Sequence, residues 1–213
     1  MSGVFIAFEG GDGAGKSTQV EYLAAHLAAR GVERVVTRQP GGTTLGAKLR
    51  RLVLDPASGD VDHRAEALMY AADKAQHVHE TIRPALARGA VVISDRYVDS
   101  MLAYQGAGRD LSLDDVRRLA WWAVGGLRPD LTVLLDADPA EAVEKLAVKD
   151  RLEAAGAGLH RRAREHFLAL AAERPGEYLV LPARDDRHDI ARRVAARVDE
   201  IVAARGCRSD VQG

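Results

Sequence analysis

Gly10-Gly11-Asp12-Gly13-Ala14-Gly15-Lys16-Ser17 decides how this chain is read; the apolar run Val4 to Phe8 precedes it, and Val20, Leu23, Ala24 and Leu27 follow at helical spacing. The octet fits G-x-x-x-x-G-K-[ST] between a predicted strand and a predicted helix, which is the context the motif needs. Its glycines let the backbone wrap an anion with N–H groups, and the helix N-terminus adds a favourable dipole. Lys16 then reaches the β and γ phosphates as a point charge, while the Ser17 hydroxyl is the expected Mg2+ ligand. Gly10 through Ser17, with Thr18, are therefore the expected nucleoside triphosphate residues. The loop alone leaves hydrolase and transferase open.

Outward from this loop, continuous apolar runs recur at Val35 to Thr37, Ala90 to Ser94, Leu131 to Leu135 and Tyr178 to Leu181. Between them lie helix-length segments such as Leu113, Val116, Leu119, Ala120 and Ala123. Uninterrupted runs suit strands buried on both faces, and alternation with helices implies a parallel sheet. The expected fold is α/β: a P-loop NTPase-type parallel five-stranded sheet with helices on both faces and a short lid. A length of 213 residues, 47% hydrophobic and 29% charged, suits one domain over residues 1–213. The lid is sought at about residues 148–160, where Gly156 and Gly158 interrupt an Ala-rich, charged stretch; an ordinary surface loop would read the same way.

Composition narrows the partners. A net charge of -1 argues against a nucleic acid polymer. The lone Cys207 cannot form an internal disulfide, and no Cys/His cluster has zinc-ligand spacing. Met1-Ser2-Gly3 runs into an apolar strand without a basic leader, and no membrane-length apolar run exists, so a cytoplasmic protein is expected. The helix Arg187 to Arg205 reads as a solvated face with Ile190, Val194, Val198 and Ile201 inward, and Trp121 and Trp122 read as core or dimer packing. None of the seven histidines has an evident partner.

Asp95-Arg96 closes the third apolar run and Arg38 the second, at the strand ends where open parallel sheets place ligands. Two arginines there suit a second phosphate group. A GTPase would need an N-K-x-D base-reading motif, and the chain contains no Asn.

These residues resemble the thymidylate kinase family over nearly the whole chain. The family's Thr-Arg-Glu-Pro-Gly-Gly-Thr appears as Thr37-Arg38-Gln39-Pro40-Gly41-Gly42-Thr43, and its Phe/Tyr-Ala-Ala-Asp-Arg-Ala-Gln-His as Tyr70-Ala71-Ala72-Asp73-Lys74-Ala75-Gln76-His77. Asp95-Arg96-Tyr97, Ala103-Tyr104-Gln105-Gly106 and the lid element Asp150-Arg151-Leu152-Glu153 follow in order. The resemblance implies transfer of a phosphoryl group from ATP to dTMP with Mg2+, in a homodimer with a short lid.

By the same resemblance, Asp12 would contact the deoxyribose 3'-hydroxyl, and Arg38 and Arg96 the acceptor phosphate. Tyr70 would stack on thymine, and Lys74 would stand in the base-reading position with Ser100 and Gln105 at the base edge. Tyr104 would lie against the sugar. Lys16 and Arg96 would act in catalysis together with a lid arginine, since Gly13 occupies the loop position where another subtype carries one. Arg151 is the first candidate, followed by Arg162 and Arg164. Lys74 for Arg, Gln39 for Glu, Met101 for a small polar residue and Leu159 for an aromatic depart from the family pattern. The lid also lacks the customary second arginine just before Asp150. Lys74 in particular offers a compact point donor instead of a planar fork, so the chain is expected to bind dTMP more weakly than a Lys74→Arg variant. A kinase for another pyrimidine deoxynucleotide and a nucleotide-binding module with weak transfer remain the alternatives.

Overall fold

A computed structural model of the chain describes residues 3–108, 111–139 and 157–206. Five strands, β1 (Val4–Gly10), β2 (Arg34–Arg38), β3 (Val91–Asp95), β4 (Leu131–Asp136) and β5 (Tyr178–Pro182), form one sheet in the order β2-β3-β1-β4-β5 with every pairing parallel. The strand residues of β1 show why the run is apolar throughout. Phe5 and Ala7 join the core on one face, and Val4, Ile6 and Phe8 join the core on the other. Edge strand β2 departs from the expected two-sided burial: its residues alternate between exposed and half-buried, because only one face is covered.

Helices α1 (Lys16–Ala29) and α8 (Arg187–Arg205) cover one face through Val20, Leu23 and Leu27 and through Ile190, Val194 and Val198. The other face carries α2 (Thr44–Leu54), α3 (His63–His77), α4 (Arg83–Ala87), α5 (Val98–Met101) and α6 (Leu113–Ala123). Helix α7 (Ala157–Glu173) packs Leu159, Ala163 and Phe167 against Tyr104 and Leu134. A π-helical turn, Val78–Ile82, joins α3 to α4, and a second, Leu102–Ala107, continues α5 and carries Tyr104 and Gln105. Such turns widen a helix locally and re-aim its side chains, here into the site.

The sheet register levels the site. Phe8, Asp95 and Arg38 lie in one row, and the row is extended past the strand ends by Arg96 N–H donating to Phe8 O (2.8 Å) and Gln39 N–H donating to Asp95 O (2.9 Å). The chain order reverses around β1, so the crevice beyond β1 and β3 is the switch point at which parallel sheets bind ligands. Trp121 is half-buried with the Arg128 guanidinium 4.0 Å from its ring centroid, while Trp122 is 79% exposed and is not part of this chain's core. No helix among the described residues is long and apolar enough to cross a membrane.

Candidate active site

The phosphate loop leaves β1 at Gly10, whose φ of 132° and close approach to β4 both demand glycine: a Cβ there would stand 2.4 Å from Leu135 O. The loop turns back at Ala14 N–H to Gly11 O (3.4 Å) and enters α1 through Gly15 at φ 88°. No side chain caps α1, so its first N–H groups face the crevice as an anion site requires. Lys16 Nζ donates to Gly10 O (3.1 Å) and Gly11 O (2.7 Å), which holds the ammonium over the loop. Burial and the nearby Arg96 push its pKa down to about 8.

Ser17 Oγ donates to Asp95 Oδ2 at 2.9 Å. This oxygen-only pair fits Mg2+, which takes one or two protein oxygens and completes its shell with phosphate and water; no cluster of three metal-ligating side chains exists among the described residues. Arg38, exposed at the end of β2, lines the same crevice with Asp12, Gly13, Gly15, Lys16, Ser17 and Thr18.

Arg96 is the joint between this crevice and a second one. It is the only non-glycine among the described residues with positive φ (69°). Such a conformation costs about 1–3 kcal/mol and persists where its surroundings impose it. Here they do: Ser94 Oγ donates to Arg96 O (2.8 Å), and the guanidinium reaches Gly10 O (3.0 Å), Ser100 Oγ (3.0 Å) and Asp12 Oδ1 (2.5 Å). Burial opposes the charge, but Asp12 and other neighbouring groups outweigh it and raise the arginine pKa further. The Arg96 guanidinium also stands 5.5 Å from the Tyr104 ring centroid.

Beyond Arg96 opens a cavity lined by Asp12, Tyr70, Lys74, Ser100, Tyr104 and Gln105, all expected at the acceptor site, together with Gln39, Pro40, Arg50, Leu54 and Met101. Lys74 is fully buried, and its ammonium donates to Gln39 Oε1 and Tyr97 O, both at 2.8 Å. Burial lowers its pKa to about 8. Gln39 Nε2 in turn donates to His77 Nδ1 (2.7 Å), so His77 carries its proton on Nε2 and donates to Thr37 Oγ1 (2.6 Å). Burial, with the charge of Lys74, holds His77 neutral with a pKa of about 4. Gln105 is oriented by donation to the buried Glu66 (3.1 Å).

Arg151 lies outside the described residues, as does most of the expected lid. The other two lid candidates are committed elsewhere: Arg162 donates to Gly108 O (2.8 Å), and Arg164 grips Asp136 with two bonds of 2.6 and 2.9 Å. Four contributors escaped the sequence reading. Arg50, on α2, lines both crevices and donates to Pro40 O (3.0 Å), with no motif to announce it. Glu9, Glu66 and His77 are buried polar groups that tie the site together; Glu9 could have been suspected from its place between an apolar strand and the loop.

A parallel sheet in this order, a phosphate loop after β1 and a second cation-bearing cavity beside it define a P-loop nucleotide phosphotransferase. The sequence profile described as thymidylate kinase matches residues 8–194. The chain is 57% identical over 198 residues to the thymidylate kinase of Cutibacterium acnes, covering 93% of this chain and 97% of that protein. It is 51% identical over 208 residues to that of Clavibacter michiganensis (96% and 98%) and 54% identical over 187 residues to that of Bifidobacterium longum (86% and 91%). The chain belongs to the thymidylate kinase family.

Proposed function

We propose that this chain transfers the γ-phosphoryl of ATP to dTMP, giving dTDP, with Mg2+. The observation that carries this reading is the pair of adjoining crevices that share Asp12, Gln39, Arg50 and Arg96: one is a triphosphate loop, the other a half-apolar cavity with an aromatic wall. Phosphoryl transfer needs alignment and charge neutralisation more than covalent help. In this reading Lys16 and the α1 N-terminus hold the donor phosphates, and Ser17 with Asp95 holds Mg2+. When bound, the ion supplies positive charge to the transferring group.

Arg96 and Arg38 receive the acceptor phosphate, and Arg96 exchanges its bonds to Gly10 O and Asp12 for phosphate oxygens. Asp12, released from Arg96, is then free to accept from the 3'-hydroxyl. Tyr70 and Met101 flank the base, Lys74 and Gln105 read its edge, and Tyr104 closes over the sugar. Arg151 supplies the lid charge. The chain acts as one catalytic domain in the cytoplasm, and as a homodimer; the exposed Leu52, Leu68 and Trp122 on α2, α3 and α6 give pairing an apolar surface. ATP-dependent ADP release with dTMP, dUMP, dCMP or no acceptor tests the reading. dTMP should be preferred, whereas acceptor-independent release would identify an ATPase and preference for dCMP another pyrimidine kinase.

A further inference from the structure

Glu9 has no exposed surface, sits one residue before the phosphate loop and has no role in the scheme above. A buried carboxylate survives where donors satisfy it. Here Oε1 accepts from the backbone N–H groups of Tyr97 (2.8 Å) and Ser100 (3.2 Å), and Oε2 accepts from Ser100 Oγ (2.6 Å). A serine hydroxyl has a single hydrogen. Because that hydrogen goes to Glu9, Ser100 must turn a lone pair outward, and this lone pair receives Arg96 Nη1 at 3.0 Å.

We propose that Glu9 is a positioning residue for phosphoryl transfer: through the Ser100 hydroxyl and the Tyr97–Ser100 backbone it holds the strained Arg96 in line with the acceptor phosphate. The inference rests on Arg96 being the ligand of that phosphate. It moves Ser100 from the base edge, where the resemblance put it, into the support of Arg96. Glu9→Gln discriminates sharply, because an amide has one acceptor and one donor end. Either orientation sets an N–H against the Ser100 hydroxyl or against the two backbone N–H groups.

The test is a double-mutant cycle of Glu9→Gln and Ser100→Ala, with Ser100→Thr as the variant that keeps the hydroxyl. It is read by kcat/KM on dTMP, dUMP and dCMP, by KM for ATP and by calorimetric binding of dTMP. Each single change should lower kcat/KM for dTMP by about 10- to 100-fold, the scale of one charge-assisted hydrogen bond. The double variant should fall little further, Ser100→Thr should recover most of the loss, and the dTMP:dUMP:dCMP ratios and KM for ATP should stay unchanged. Factors that multiply in the double variant, or a Ser100→Ala enzyme whose base preference shifts, would overturn the proposal. If Glu9→Gln does not fold, Ser100→Ala against Ser100→Thr still decides, because a loss equal in both would exclude the hydroxyl. Failure of the unaltered protein to use dTMP would instead contradict the proposed function, and the calorimetric cycle then judges the Arg96 support separately.

Discussion

Replacing Lys74 by Met removes a buried ammonium while keeping a side chain of similar length. The variant loses two 2.8 Å charge-assisted bonds, to Gln39 Oε1 and Tyr97 O, each worth about 1.5–3 kcal/mol, and leaves both oxygens without that donor. Against this stands the expense of burying the charge. The Lys74 pKa falls from the ordinary 10.5 to about 8, a difference worth about 3 kcal/mol at about 1.4 kcal/mol per pH unit. That difference is already net of the bonds, so Lys74→Met should change stability by no more than about 3 kcal/mol near neutral pH.

The pH dependence is more telling. Between about pH 8 and 10.5 the unfolded chain holds a proton on Lys74 that the native chain has released. The unfolding free energy therefore rises with pH in that window, and below pH 8 the burial penalty is present in full. Relative to the Met variant, the unaltered chain should gain about 3 kcal/mol from pH 8 to pH 10.5, measured as the difference between their urea midpoints. Over pH 7 to 9 its KM for dTMP should rise, while that of the variant starts about tenfold or more higher and changes less. A stability gap that stays flat across the window would refute the buried, charged Lys74.

Three further outcomes are expected. Arg96→Lys keeps the charge but loses the planar fork that spans Gly10 O, Ser100 and Asp12, and should lower kcat/KM for dTMP about a hundredfold with KM for ATP little changed. Arg151→Ala should reduce kcat roughly 10³-fold if it acts as the lid arginine, and near-normal turnover would remove it from that role. Chelation of Mg2+ should abolish transfer, and Ser17→Ala should raise the Mg2+ concentration needed for half-maximal rate; an unchanged requirement would exclude the Ser17 oxygen as a ligand.

The parallel sheet and phosphate loop were legible because each rests on a local rule: an apolar run, a glycine spacing, a helix period. The strands run one or two residues past the apolar runs, since Glu9, Gly10, Arg38, Asp95 and Asp136 keep the ladder without joining the apolar clusters. The polar frame was not legible, because Glu9, Gln39 and His77 matter through partners up to 91 residues away. Gln39 and Lys74 stood out singly as departures from the family pattern, but only the fold shows them bonded to each other.

That contact bears on the gain expected from Lys74→Arg: a guanidinium reaching into the cavity gives up the ammonium's bonds to Gln39 Oε1 and Tyr97 O, so the variant should bind dTMP more tightly only where its fork regains them. Of the two readings of Trp122, core or dimer packing, the structure excludes the core: helical spacing places it near Leu119 and Val116, yet its side chain points off the covered stripe.

The central claim is that two adjoining crevices hold donor and acceptor for direct transfer across Arg96. Incubating the protein with γ-labelled ATP, Mg2+ and dTMP, and following the label, tests it most directly. The label should appear in dTDP in step with ADP formation, with little inorganic phosphate; label released as inorganic phosphate at the same rate with and without dTMP would contradict it.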